Sequence, residues 1–169
     1  EAAVKEKPDV QVLSHLIAIY LQQKQPQKAQ EFLESALKQT PDDYDFLLTY
    51  GRLLRDQRNF TGAANQFIRA LKAKPDDIPA LNELAGMLIS LNEDAKAMTV
   101  LDRLKALNAE TPGQTFFRAV ILDRNKQVRA ALAAYQSFLS TSSGKFPDEE
   151  FKARQRVKVL EKEAAKGKK

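Results

Sequence analysis

Few side chains in this sequence could carry chemistry, and none are spaced to do it together. There is one histidine, His15, and no cysteine, which excludes thiolate nucleophiles, disulfides, iron–sulfur clusters and cysteine-held zinc. His15 has no nucleophile at a readable spacing, so it reads as a surface or partly buried residue and not as a base. No glycine-rich phosphate loop and no Gly-x-Ser-x-Gly elbow occurs. The acidic pairs Asp42-Asp43 and Asp76-Asp77 offer oxygen ligands for a metal, but each follows a proline, Pro41 or Pro75. A helix start needs a carboxylate on its free N–H groups, so capping is the better reading. Asn59-Phe60-Thr61 is a formal glycosylation triplet within a turn, and a motif that short decides nothing. No catalytic residue, metal, cofactor or small-molecule substrate is expected: the chain reads as a non-enzyme, with the accessory domain of a larger enzyme as an alternative.

Charge offers a second kind of chemistry, the binding of anions. The formal net charge is +5, but residues 152–169 hold eight basic and two acidic residues, so that segment carries +6 and the remainder −1. The basic character therefore belongs to a terminal helix and tail. Nucleic acid or an anionic surface is the alternative partner for that segment, but aromatic side chains for base stacking do not alternate with its charges. No apolar run reaches the roughly 20 residues of a membrane span. The absence of cysteine fixes no compartment.

Positioning elements emerge from internal repetition. Ala29, Ala63, Ala97 and Ala131 recur every 34 residues, and Pro41 and Pro75 share that interval. Tyr20, Leu54, Leu88 and Leu122 form an apolar column, as do Leu33, Phe67, Leu101 and Tyr135, while Ile17, Gly51, Ala85 and Ala119 form a mostly small one. Each period holds two amphipathic stretches with apolar residues three and four apart, the mark of a helix with one buried face. Short polar turns such as Asp56-Gln57-Arg58-Asn59 force neighbouring helices antiparallel. Where two helices cross closely a methyl is the largest group that fits, which accounts for the alanine column.

In Tyr44 to Asp77, the residues Leu47, Tyr50, Gly51, Leu54, Phe60, Ala63, Phe67, Ala70 and Pro75 resemble the tetratricopeptide repeat. The resemblance implies an all-α fold: a right-handed superhelical stack of antiparallel helix pairs, a tetratricopeptide-type α-solenoid, with a C-terminal capping helix. It spans nearly all of residues 1–141. Residues 1–8 read as the end of a preceding repeat helix, which places further array upstream. Repeats follow at 10–43, 44–77, 78–111 and 112–141. The last is degenerate, with Thr115 and Arg118 where large apolar residues are usual, so its first helix is expected to be shifted or partly exposed. A capping helix is expected over 146–165, its Phe146, Phe151, Val157 and Leu160 covering the last repeat, followed by a basic tail over 166–169.

The resemblance also implies a protein-interaction role, as scaffold or adaptor, with a partner peptide or helix lying along the first helices of successive repeats. The groove positions of that family fall here on Ser14, Ala18 and Leu21, then Leu48, Arg52 and Arg55, then Asn82, Gly86 and Ile89, then Phe116, Val120 and Asp123. Leu48, Ile89, Phe116 and Val120 lie outside the packing columns, and apolar residues without a core task suggest a partner. Arg52 and Arg55, one helical turn apart, can present forked donors to a carboxylate of a bound chain; equally, they can solvate the face or pair with Asp56 and Asp45. The chaperone-tail clamp of one subtype is missing, because Ser14 and Ala18 stand where it needs lysine and asparagine. Asn82 alone does not make an asparagine ladder. Self-association through uncovered terminal repeats is the other association the pattern leaves open.

Overall fold

A computed structural model describes residues 9–166. Among them nine helices follow one another with no strand. They are α1 (Val10–Gln22), α2 (Pro26–Gln39), α3 (Tyr44–Asp56), α4 (Phe60–Ala73), α5 (Ile78–Ser90), α6 (Asp94–Ala106), α7 (Pro112–Arg124), α8 (Val128–Thr141) and α9 (Pro147–Lys166). First helices begin at residues 10, 44, 78 and 112 and second helices at 26, 60, 94 and 128, so both series step by 34. The helix end expected over 1–8 and the tail residues 167–169 lie outside the described residues.

Local chemistry sets these boundaries. The Asp43 carboxylate accepts from the Phe46 N–H at 3.0 Å and Asp77 from the Ala80 N–H at 2.8 Å, so the second aspartate of each pair caps a first helix. Asn59 caps α4 by accepting from the Gly62 N–H at 2.9 Å. Thr111 and Gln114 form a reciprocal capping box at the start of α7. Each turn inside a helix pair carries a left-handed residue, Lys24, Arg58, Asn92 or Lys126, with φ between 55 and 61°. After Lys24, Arg58 and Lys126 the next N–H reaches back across the turn, as in Asn59 N–H to the Leu54 carbonyl at 2.8 Å, which closes the end of the first helix.

The chain divides into two compact units, one up to Leu91 and the other from Asn92. In the first, α1 to α5 pack in succession, and Leu13, Ile17, Ala29, Leu33, Ala36, Phe46 and Leu47 form a core edged by the stacked rings of Tyr20 and Phe32. In the second, α6 to α9 pack in succession over Ala119, Ala131, Tyr135, Phe138, Ala153 and Leu160. The final helix packs on this core with three of the four expected residues. Phe146, Val157 and Leu160 pack inward, whereas Phe151 is 63% exposed and Ala153 takes the inner position. Residues 150, 153, 157 and 160 lie on one stripe of the helix, and 151 is rotated off it. Helix α7 keeps the 34-residue step, and Arg118 is not shifted outward but buried, 7% exposed.

Ala29, Ala63, Ala97 and Ala131 are all 0% exposed. The small and large columns are matched in size: Ile17 shares a core with Leu33, Ala119 with Tyr135, and Gly51 sits beneath Phe67. A Cβ at Gly51 would lie 2.4 Å from Phe67 Cε1, inside contact distance of a ring that is itself fully buried. Helix propensity favours alanine over glycine by up to ~1 kcal/mol, but overpacking costs ~1–3 kcal/mol. Gly51→Ala is therefore expected to lower stability in urea titration, and Gly51→Ala combined with Phe67→Leu to lose less than the sum of the two single changes.

Candidate functional site

Groove residues of the first unit converge in part. Ser14, Ala18 and Leu21 of α1 line one hollow with Ile17 and with Asp45, Phe46 and Thr49 of α3, a cavity of about 190 Å³. Its floor is apolar, because Ile17 and Phe46 are core residues, and its rim carries hydroxyls and one carboxylate. Ser14 and Ala18 are exposed because the periodicity that turns Leu13 and Ile17 inward turns these neighbours out. Leu48 on α3 and Ile89 on α5 are half-buried, and the side of Gly86 where a Cβ would stand has nothing within 4 Å.

The arginine pair has an internal partner. Arg52 Nε donates to Glu83 Oε1 at 3.0 Å, and an Arg55 terminal nitrogen donates to Glu83 Oε2 at 2.6 Å. Arg55 also donates to Asp56 at 2.9 Å. Of the two carboxylates expected as internal partners, Asp56 is engaged by Arg55, and the larger role falls to Glu83 on α5. Burial favours loss of the Arg55 charge, but the hydrogen bonds it donates to Asp56 and Glu83 outweigh it, and its pKa is raised. Two cations and two anions thus balance on this face, and the arginines already have their carboxylates.

In the second unit the expected groove residues are largely taken up. Phe116 packs in the core, 5.1 Å from the Phe138 ring and edge-on to Tyr135, and Val120 packs against the same cluster. Asp123 accepts two hydrogen bonds from Arg156 of the capping helix, at 2.6 and 2.7 Å, and a third from the Tyr135 hydroxyl at 3.3 Å. Phe116 and Val120 thus have packing partners within this unit, and Asp123 is tied to the capping helix. Arg154 is also held, by Glu150 at 2.8 Å, so two of the basic residues of α9 serve the fold while Lys152, Lys158 and Lys162 stay exposed.

Other candidates resolve individually. His15 is exposed, its Nδ1 2.8 Å from the Gln11 carbonyl one turn earlier. Among the described residues no three of the His, Cys, Asp and Glu side chains cluster as metal donors, and no helix is long and apolar enough to cross a membrane. One feature marked only as a departure from the repeat proves to be a built cluster: buried Arg118 donates through Nε to Glu110 at 2.7 Å and through a terminal nitrogen to Asp102 at 2.5 Å.

The family model described as tetratricopeptide repeat matches residues 20–80 and 54–114. The chain belongs to the tetratricopeptide repeat family. No curated protein matches it at the sequence level. Among solved structures, a crystal structure of MamA superposes with a TM-score of 0.71 at 17% identity, over 93% of this chain and 94% of that one. MamA from Desulfovibrio magneticus RS-1 gives 0.69 at 16% identity, over 95% and 96%. YrrB, described as a tetratricopeptide repeat protein with an unusual peptide-binding site, gives 0.73 at 17% identity, over 92% and 78%. At these identities the likeness establishes the fold, an all-α tetratricopeptide solenoid. Tetratricopeptide repeat proteins are generally protein-interaction modules and not enzymes.

The tetratricopeptide packing leaves a titration signature. Burial raises Tyr135 to about 12, aided by the Asp123 charge and hydrogen bond. Burial likewise raises Tyr44 and Tyr50 to about 12, followed by Asp77 for the first and Glu34 for the second. In the unfolded chain such groups ionise near 10, so between 10 and 12 the folded state holds more protons. Stability is then complete below about pH 10 and falls as pH rises toward 12. Asp123→Asn should bring the Tyr135 midpoint down, read as tyrosinate absorbance during alkaline titration.

Proposed function

We propose that this chain is a non-enzymatic interaction module whose first-unit groove holds a peptide or helix of a partner protein. The observation that carries the proposal is the hollow between α1 and α3, where Ser14, Ala18 and Leu21 meet Phe46 and Thr49 around about 190 Å³. An apolar floor under a polar rim suits an apolar side chain whose backbone needs hydrogen-bond partners. Ser14, Thr49 and Asp45 supply those around the edge. On α5, the first helix of the third repeat, the space beside Gly86 leaves room for a partner backbone to approach closely.

Arg52 and Arg55 play a narrower part in this reading. Their charges are balanced by Glu83 and Asp56, so a partner carboxylate would have to displace one of those anions and would gain little net attraction. Apolar contact in the hollow therefore supplies most of the affinity, and the arginines shape the polar wall beside it. The peptide-binding description of YrrB, a protein of the same fold, is consistent with this use of the groove.

The test is selection of peptides from a random display library by the intact protein. Enriched peptides should carry a recurring apolar residue, and Ala18→Arg should weaken their binding at least tenfold, while Arg52→Ala changes it less. The proposal fails if the Ala18→Arg protein, folded by circular dichroism, retains the affinity of the parent for every selected peptide.

A further inference from the structure

The hollow between α1 and α3 carries a single charge. Apolar side chains, Ile17, Ala18, Leu21 and Phe46, make most of its lining, and Asp45 is the one charged residue among those that line it. Asp45 is exposed, so a molecule seated in the hollow can reach it.

Sequence spacing offers Asp45 two cations on its own helix, Arg52 and Arg55, and neither takes it. Arg52 pairs with Glu83, and Arg55 with Glu83 and Asp56. Among the described residues Asp45 enters no ion pair. Helix α1 brings no lysine or arginine to the opposite wall, and its one histidine, His15, is engaged with the Gln11 carbonyl. Across the first helices of this unit, α1, α3 and α5, the charged side chains are three carboxylates, Asp45, Asp56 and Glu83, and two guanidiniums. One negative charge is left over, and the pairing assigns it to Asp45. An acidic residue in the first turn suits the dipole of α3, but that end is already capped by Asp43, which accepts from the Phe46 N–H.

An apolar side chain entering the hollow takes water away from the neighbouring carboxylate. Left uncompensated, that desolvation opposes binding; a cation on the entering chain offsets it and turns the carboxylate into a filter against neutral and acidic segments. We infer, resting on the groove reading above, that the first-unit groove selects basic peptides, in which the apolar residue seated in the hollow is flanked within two positions by a lysine or arginine that pairs with Asp45. Extended residues advance ~3.3 Å each, less than the length of either basic side chain, so a cation one or two residues from the apolar anchor still reaches the carboxylate.

The test runs the display selection in parallel on the parent protein, Asp45→Asn and Asp45→Lys. On the parent, lysine and arginine should be enriched roughly threefold or more near the recurring apolar residue. That enrichment should vanish on Asp45→Asn and give way to aspartate and glutamate on Asp45→Lys. For one peptide selected on the parent, replacing its basic residue by glutamine should weaken binding about fivefold on the parent and less than about twofold on Asp45→Asn, where the pair is already broken. Selected peptides that share an apolar residue without a basic neighbour, or a basic preference that persists in both Asp45 variants, overturn the assignment and leave the groove reading standing. Peptides with no recurring apolar residue overturn both. The glutamine peptide needs only unaltered protein, so equal affinity of the two peptides for the parent overturns the ion pair even where neither variant folds.

Discussion

Everything in this fold depends on how closely two helices can cross. Within each unit, residues of the two columns share a core and vary together: isoleucine with leucine and glycine with phenylalanine in the first, alanine with tyrosine in the second. The Phe67 ring faces the residue with no side chain at all, and it does so at 2.4 Å from where a Cβ would be. Close-packed interiors tolerate neither a void nor an extra methyl. The alanines at 29, 63, 97 and 131 are therefore a geometric necessity, and they fix the spacing at which the exposed helix faces stand.

That constraint is what made the fold legible from sequence. A residue type forced at one crossing is forced again 34 residues later, so the columns announce the helices, their pairing and their faces before any coordinate is known. Capping was legible for the same reason, since Asp43 and Asp77 follow the prolines that end the preceding helices. The left-handed turn residues were not, because Lys24, Arg58 and Lys126 adopt a conformation usually given to glycine and carry no glycine to signal it. Their strain, ~1–2 kcal/mol each in isolation, is offset by the carbonyls that the next N–H groups satisfy.

The candidate site was less legible, and the reasons differ by residue. Ser14, Ala18 and Leu21 meet in one hollow because exposure on α1 follows directly from helical phase. The partner of Arg52 and Arg55 lies on another helix, 31 and 28 residues away, and no periodicity reports which of several nearby carboxylates a long flexible side chain will choose. The core packing of Phe116 and Val120 and the ion pair of Asp123 were not legible, because a column pattern assumes that every repeat has a neighbour like itself. Their neighbour is a cap, and Phe151 was misjudged on that cap because a helix outside the repeat has no column to set its phase.

Arg118 shows how a departure from the pattern differs from mere decay of it. A buried arginine held by two carboxylates is seldom worth more than an apolar residue of the same size, and the family places an apolar residue at this position. Simple loss of the repeat would have left that helix loosened or its charge turned out to water. Instead α7 keeps its register, its start is secured by a full capping box, and Glu110 is drawn in to 10% exposure to hold the guanidinium. The cluster ties α7 to Asp102 on α6 and to Glu110 in the loop between them, so the polar substitution holds the register that an apolar side chain would hold by packing.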